Sequence, residues 1–237
     1  MVDALRGVLF DKDGTLFEDD GWGALFVEAA EFTAKGRSAL VPEMLAAIGY
    51  DSATERFAAG SIGGAGNTFE LAEAWLAITG GWERHTLVRE IDALFTRLVP
   101  LRFPPVTDLP ILFSLLKNRG LRLGIATNDV AASAQATIEH FGLGDFIEFS
   151  AGYDSGHGAK PGPGMALAFC AATGLAPHQI AVVGDNSHDL EMGRSAGAGL
   201  NIGVLTGTSA HDDLAPFADH VIESIVALPA LLDSLRG

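Results

Sequence analysis

Short apolar runs ending in glycine or a polar residue alternate with helical stretches from about residue 105 to the C-terminus, and this alternation constrains the fold most. The runs are Val8–Phe10, Leu121–Ala126, Phe146–Ser150, Ile180–Val183, Leu200–Ile202 and His220–Ile222. Continuous apolar runs of this length fit strands buried on both faces of a parallel sheet. Between them, helices are predicted over Thr107–Arg119, Ala131–Phe141, Pro163–Thr173, Ser187–Ala196 and Ser224–Leu235. Gly120, Gly142, Gly174 and Gly197 stop the first four. The pattern predicts an α/β fold with a doubly wound parallel sheet.

The segment after the first run differs. Helices are predicted over Gly23–Phe32, Pro42–Ile48, Ser52–Ala59, Thr68–Ile78 and His85–Leu98, with a glycine-rich break at Gly60–Gly66 and no strand. Pro100, Pro104 and Pro105 mark the return to alternation. The expected organisation is therefore a core of residues 1–17 and 100–237, with an inserted helical domain over 18–99. A chain of 237 residues, 48% hydrophobic, can bury a core of that size.

The strongest motif follows the first strand: Asp11-Lys12-Asp13-Gly14-Thr15-Leu16. Residues two apart on extended chain share a side. Asp11 and Asp13 are expected to face one site, with Lys12 pointing away. Two close carboxylates need a cation or a proton between them, and oxygen donors of this kind suit Mg²⁺. A calcium-binding EF-hand starting at Asp11 would need Gly and Glu where Leu16 and Trp22 stand, so it is excluded.

Three further motifs also stand at predicted strand ends. Gly184-Asp185-Asn186-Ser187-His188-Asp189 places one aspartate at a strand end and another in a first helical turn. Asp185 reads either as a metal ligand or as an N-cap. Thr127-Asn128-Asp129 offers a hydroxyl, an amide and helix N–H groups to an anion, or Thr127 simply caps a helix. Lys160, in Lys160-Pro161-Gly162-Pro163, is either a fixed charge facing a phosphate or a solvated lysine. Together the four supply a nucleophile, metal ligands, a hydroxyl donor and a cation, which are the parts of phosphoryl transfer.

The order DxDGTL, TN, KP, GDxxxD resembles the haloacid-dehalogenase superfamily, in its branch with a helical cap after the first strand. Within that branch it resembles the phosphoglycolate-phosphatase-like enzymes. The resemblance implies a Rossmann-like core and a Mg²⁺-dependent phosphatase for a small-molecule phosphate ester. It implies that Asp11 forms an aspartyl-phosphate and that Asp13 serves as acid and then base. It also implies Mg²⁺ on Asp11, the Asp13 carbonyl and Asp185, with Asp189 supporting that shell. Thr127, the Asn128 backbone and Lys160 would hold the phosphoryl oxygens. Asn186 stands where Ser or Thr is commoner, with little expected consequence.

A phosphomutase of the same superfamily would keep the same motifs, and a non-catalytic scaffold would not need them. Asp13 separates a phosphatase from dehalogenase relatives and from phosphonate-cleaving ones, in which a cap lysine (here Lys35) forms a Schiff base. Ser61–Asn67, with Gly63 and Gly64, reads either as a cap loop contacting substrate or as a linker. Arg37 and Arg56 could meet a substrate carboxylate or be surface charges. Gly193–Gly197 matches GxSxG, but Ser195 falls at a helix end rather than on a strand-to-helix turn. His157 and His188 adjoin site motifs. P-loop and GxGxxG patterns are missing.

A net charge of −15 disfavours nucleic-acid and anionic-membrane partners. Cys170 is the only cysteine, so no intrachain disulfide or multi-cysteine zinc site can form. With no signal-peptide pattern or membrane-length apolar run, the expected location is the cytoplasm.

Overall fold

The computed structural model describes residues 5–18 and 21–235. The ends of the expected core segment, 1–4 and 236–237, and residues 19–20 of the expected insertion lie outside the described residues.

Six strands form one parallel sheet: β1 (Gly7–Phe10), β4 (Arg122–Ala126), β5 (Ile147–Ala151), β6 (Ile180–Gly184), β7 (Leu200–Val204) and β8 (His220–Ile222). Their order is β5-β4-β1-β6-β7-β8. The chain winds outward from β1 through β4 to β5, then returns to β6 and winds the other way. That is the doubly wound arrangement expected, and ligands bind where such winding reverses. Phe10, the last residue of β1, pairs with Ile125 on one side and Val183 on the other. The residues after all three strands therefore emerge at one level.

Alternation along β1 divides the core. Val8 and Phe10 pack with Ala181, Val183 and Ile125 on one face. Leu9 packs with Val182, Phe169 and Met165 on the other. Both faces are covered by helices, namely α6 (Leu109–Asn118), α7 (Ala131–His140), α8 (Gly164–Thr173), α9 (Ser187–Ala196), α10 (His211–Leu214) and α11 (Leu228–Ser234). At the predicted C-terminal helix, a 3₁₀ turn over Ile225–Ala227 precedes α11.

Between β1 and α6 lie α1 (Trp22–Ala34), α2 (Val41–Ala47), α3 (Ile62–Ala65), α4 (Thr68–Thr79) and α5 (Arg84–Arg102). They pack around Trp75, Met44, Leu71, Leu87 and Ile91, and the buried Trp75 indole donates to the Met44 carbonyl at 2.8 Å. α4 begins at a capping box formed by Asn67 and Glu70.

Three expectations for this block are corrected. Ser52–Ala59 is not a helix: Tyr50–Asp51 (β2) and Arg56–Phe57 (β3) pair antiparallel around a turn. The Asp51 carboxylate accepts from Ala53 N–H and Thr54 Oγ1, which stabilises that turn against a helix. The glycine-rich break contains the short α3, opened by Ser61, whose hydroxyl accepts from Gly64 N–H. α5 runs through Pro100 to Arg102, past the expected helix end at Leu98. No helix among the described residues is long and apolar enough to cross a membrane.

Candidate active site

The four motifs converge beyond the carboxyl ends of β1, β4 and β6. Asp11 follows β1, and its N–H donates to the Val183 carbonyl at 2.8 Å, locking it beside β6. The Lys160 ammonium donates to Asp11 Oδ1 at 2.5 Å, to Asp189 Oδ1 at 2.6 Å and to the Ala126 carbonyl at 3.1 Å. Lys160 is thus a buried charge joining three of the four motifs, not a solvated lysine. Burial disfavours its charge, but Asp11 and Asp189 outweigh that and hold its pKa above the ordinary lysine value.

Asn128 clamps the Lys160 turn. Its side chain accepts from Lys160 N–H at 2.8 Å and donates to the Lys160 carbonyl at 3.1 Å. Thr127 does not cap α7, whose N-cap is Val130. Its hydroxyl instead accepts from Asp129 N–H at 3.0 Å and retains a proton to donate. Asp185 is not an N-cap either, because Asn186 takes that place on α9. An Asp185 oxygen accepts from Thr208 N–H at 3.0 Å. Asp189 Oδ2 accepts from Asn186 N–H at 3.1 Å.

Carboxylate oxygens of Asp11, Asp185 and Asp189 lie within 4.8 Å of one another, all buried. The grouping brings in Asp189, which the sequence placed only in support. The donors are all oxygen, which suits a hard divalent cation. Five aspartates line the cavity, with Lys160 as the one lysine or arginine among the described lining residues. A phosphate dianion entering such a site needs added positive charge.

Lys12 departs from expectation. Its ammonium is fully buried and contacts both Asp13 oxygens, at 2.7 and 2.6 Å, and Asp129 Oδ2 at 3.2 Å. A buried ammonium must find anions, and Asp13 and Asp129 are those anions. Their pull outweighs burial and raises the Lys12 pKa. Burial pushes the Asp13 carboxyl up to about 7, against the attraction of Lys12. Asp189 is likewise raised to about 7 by burial, against Lys160.

Sequence reasoning named Lys12 and Asp129 but missed their pairing, and it missed the loop after β7. In that loop the Thr206 hydroxyl donates to the Gly14 carbonyl at 2.6 Å. A Cβ at Gly207 would lie 1.8 Å from Asp185 Oδ2. The available signal was Thr206-Gly207-Thr208-Ser209 directly after an apolar strand, the placement shared by the other motifs.

α3 is held against these loops. Asn128 donates to the Ala65 carbonyl at 2.9 Å and Asn186 to the Gly64 carbonyl at 3.3 Å. His188 Nδ1 lies 3.2 Å from Ala65 O. Asn186, expected to matter little, is therefore a tie between core and insertion. A cavity of about 100 Å³ remains between them, with Gly63 and Gly64 in its wall. Lys35 stacks over Trp82 at 3.5 Å and Arg37 donates to the Thr79 carbonyl at 2.8 Å; neither they nor Arg56 line the cavity. His157 is outside it as well, while Ser195 falls at the end of α9 as expected.

Fold and site define an enzyme of the doubly wound α/β class with an aspartate-rich centre. Residues 5–197 match the family of haloacid dehalogenase-like hydrolases. The protein named "Probable phosphatase IndB" of Dickeya dadantii is 36% identical over 140 residues, a match spanning 57% of this chain and 59% of that one. The phosphoglycolate phosphatase of Escherichia coli K12 is 28% identical, with 96% of this chain and 92% of that one covered. A solved haloacid-dehalogenase hydrolase of Entamoeba histolytica superposes with a TM-score of 0.71 at 20% identity, covering 97% and 100%. The chain belongs to the haloacid dehalogenase-like hydrolase family and is an enzyme of its phosphatase group.

Proposed function

We propose that this enzyme is a Mg²⁺-dependent phosphatase that hydrolyses a small-molecule phosphate monoester through an aspartyl-phosphate at Asp11. The observation that carries this reading is the Asp11 carboxylate, buried at a strand end and held by Lys160 beside Asp185 and Asp189.

In the first half-reaction an Asp11 oxygen attacks phosphorus, the bond from phosphorus to the alcohol oxygen breaks, and Asp13 gives that oxygen its proton. In the second, Asp13 takes a proton from water, the water oxygen attacks phosphorus, and Asp11 departs as carboxylate. An acid–base group pushed up to about 7 suits both directions near neutral pH. Lys160 restrains Asp11 and, with Thr127 and the Asn128 backbone, receives the phosphoryl oxygens. Asp11, the Asp13 carbonyl and Asp185 would hold Mg²⁺, with Asp189 supporting them. The ion, when bound, supplies the positive charge that lets a phosphate dianion sit beside carboxylates.

Residues 18–99 act in this reading as a cap whose loop, through Gly63 and Gly64, closes over the phosphoryl centre and excludes water. The lone cysteine and the net charge of −15 fit a cytoplasmic enzyme without nucleic-acid or membrane partners.

The test is phosphate release from a panel of phosphate monoesters, including phosphoglycolate, with Mg²⁺ and with chelator. Release that stops with chelator and in Asp11→Asn supports the reading. Full release in either case overturns it, and isomerised product without free phosphate would assign a mutase instead.

A further inference from the structure

The cavity has two chemically distinct ends. Asp11, Asp13, Thr127, Lys160 and Asp185 surround the phosphoryl end. The helical block closes the other with Trp22 and Phe26 from α1, Leu71 from α4 and Phe95 from α5. All four side chains are buried. The rings brace each other: Phe26 and Phe95 meet edge to face with centroids 5.4 Å apart, and Trp22 meets Phe95 at 6.1 Å and 85°. Apart from the Trp22 indole N–H, this wall is hydrocarbon.

That end offers no cation to a second anion. Among the described lining residues the block contributes no lysine, arginine or histidine. Its candidate cations are engaged elsewhere, Arg37 on the Thr79 carbonyl and Lys35 on the Trp82 ring, and Arg56 does not line the cavity. Five backbone amides of the loop, from Gly63 to Asn67, are also engaged. Gly63 N–H donates to Ile48 O, Ala65 N–H to Ser61 O and Gly66 N–H to Ile62 O. Gly64 N–H donates to Ser61 Oγ and Asn67 N–H to the Glu70 carboxylate. The Asn67 side-chain oxygen already accepts from Phe69 and Glu70. His188 lines the opposite, core side, against Ala65 O. A carboxylate or second phosphate placed against Trp22 and Phe95 would lose its hydration and gain no cationic partner.

We infer that the alcohol released by this phosphatase is compact and uncharged, and presents a ring or hydrocarbon face to Trp22, Phe26 and Phe95. This rests on the phosphatase reading above and names its substrate class. Aromatic walls of this kind bind flat or apolar faces. The inference separates the chain from its relatives named for phosphoglycolate, whose alcohol carries a carboxylate.

The experiment compares kcat/KM with Mg²⁺ for phosphoglycolate, for its methyl ester, in which the carboxylate is masked, and for benzyl phosphate. The two neutral esters are expected to exceed phosphoglycolate by at least about tenfold. In Phe95→Arg the ratio of phosphoglycolate to benzyl phosphate should rise by about tenfold or more; if that variant does not fold, the wild-type ratios decide. Phosphoglycolate equal to or better than the neutral esters overturns the inference and leaves the phosphatase reading standing. Release from none of the three esters, nor from the wider panel, overturns both.

Discussion

Asp11 shares the Lys160 ammonium with Asp189, so the proposed nucleophile is oriented by a residue 149 positions away. That dependence was legible only through the family resemblance, because Lys160 in its proline-rich turn reads by itself equally as a solvated lysine. Lys12 was not legible, because its fate depends on Asp129, brought beside it only by the pairing of β1 with β4. Replacing Lys12 by Met leaves Asp13 and Asp129 facing each other without a cation. The expected cost is about 3 kcal/mol, a fall of roughly 6–12 °C in Tm. Adding Asp129→Asn should restore part of the loss in thermal denaturation; simple additivity would contradict the coupling. Gly207→Ala tests the loop the sequence did not flag. Its Cβ would lie 1.8 Å from Asp185 Oδ2, so phosphatase activity with Mg²⁺ should fall by more than about tenfold.

At the scale of elements, the strands and most helices followed from apolar period and glycine stops. Ser187–Ala196 and His220–Ile222 match the sequence reading residue for residue. The hairpin of β2 and β3 escaped because strands of two residues carry no readable period. Its turn is set by one Asp51 carboxylate and by Glu55 at φ 56°. The hairpin matters because Phe57 packs against α3. A Cβ at Gly63 would lie 2.2 Å from the Phe57 ring and 3.1 Å from the Ile48 carbonyl, whereas at Gly64 the nearest atom is 3.1 Å away. Gly63→Ala should therefore displace α3 from Asn128 and Asn186 and lower kcat/KM by about tenfold or more, with Gly64→Ala clearly milder. Equal effects in steady-state kinetics would show that α3 placement does not govern the site.

At the scale of the whole molecule, the sheet order places every motif at one edge, which strand–helix alternation implied before any contact was known. The junction between the helical block and the sheet was not implied. There Asp92 on α5 accepts from the Tyr153 hydroxyl at 2.9 Å, in a cleft also lined by His85, Arg89 and Arg97. Burial, with Asp129 and Asp154 nearby, pushes the Asp92 carboxyl from about 3.8 up to about 6. The folded protein thus keeps a proton that the unfolded chain has lost, and Asp92 costs stability as pH rises from about 4 to about 6. Asp92→Asn should be more stable than wild type by about 1–2 kcal/mol at pH 8 and indistinguishable near pH 4. Wild type more stable at both pH values in chemical denaturation would contradict this. The acidic centre makes a second prediction at this scale. Mg²⁺ at a hundred times its Kd should stabilise the fold by about 2.7 kcal/mol, and Asp185→Asn should remove that gain in a thermal shift. The central claim is covalent chemistry at Asp11. Acid-quenching the enzyme during turnover with Mg²⁺ and reducing it with borohydride converts an aspartyl-phosphate to homoserine, which peptide mass spectrometry locates. The account predicts homoserine at position 11, and none in chelator or in Asp11→Asn. Turnover with no homoserine, or homoserine at another aspartate, would contradict it.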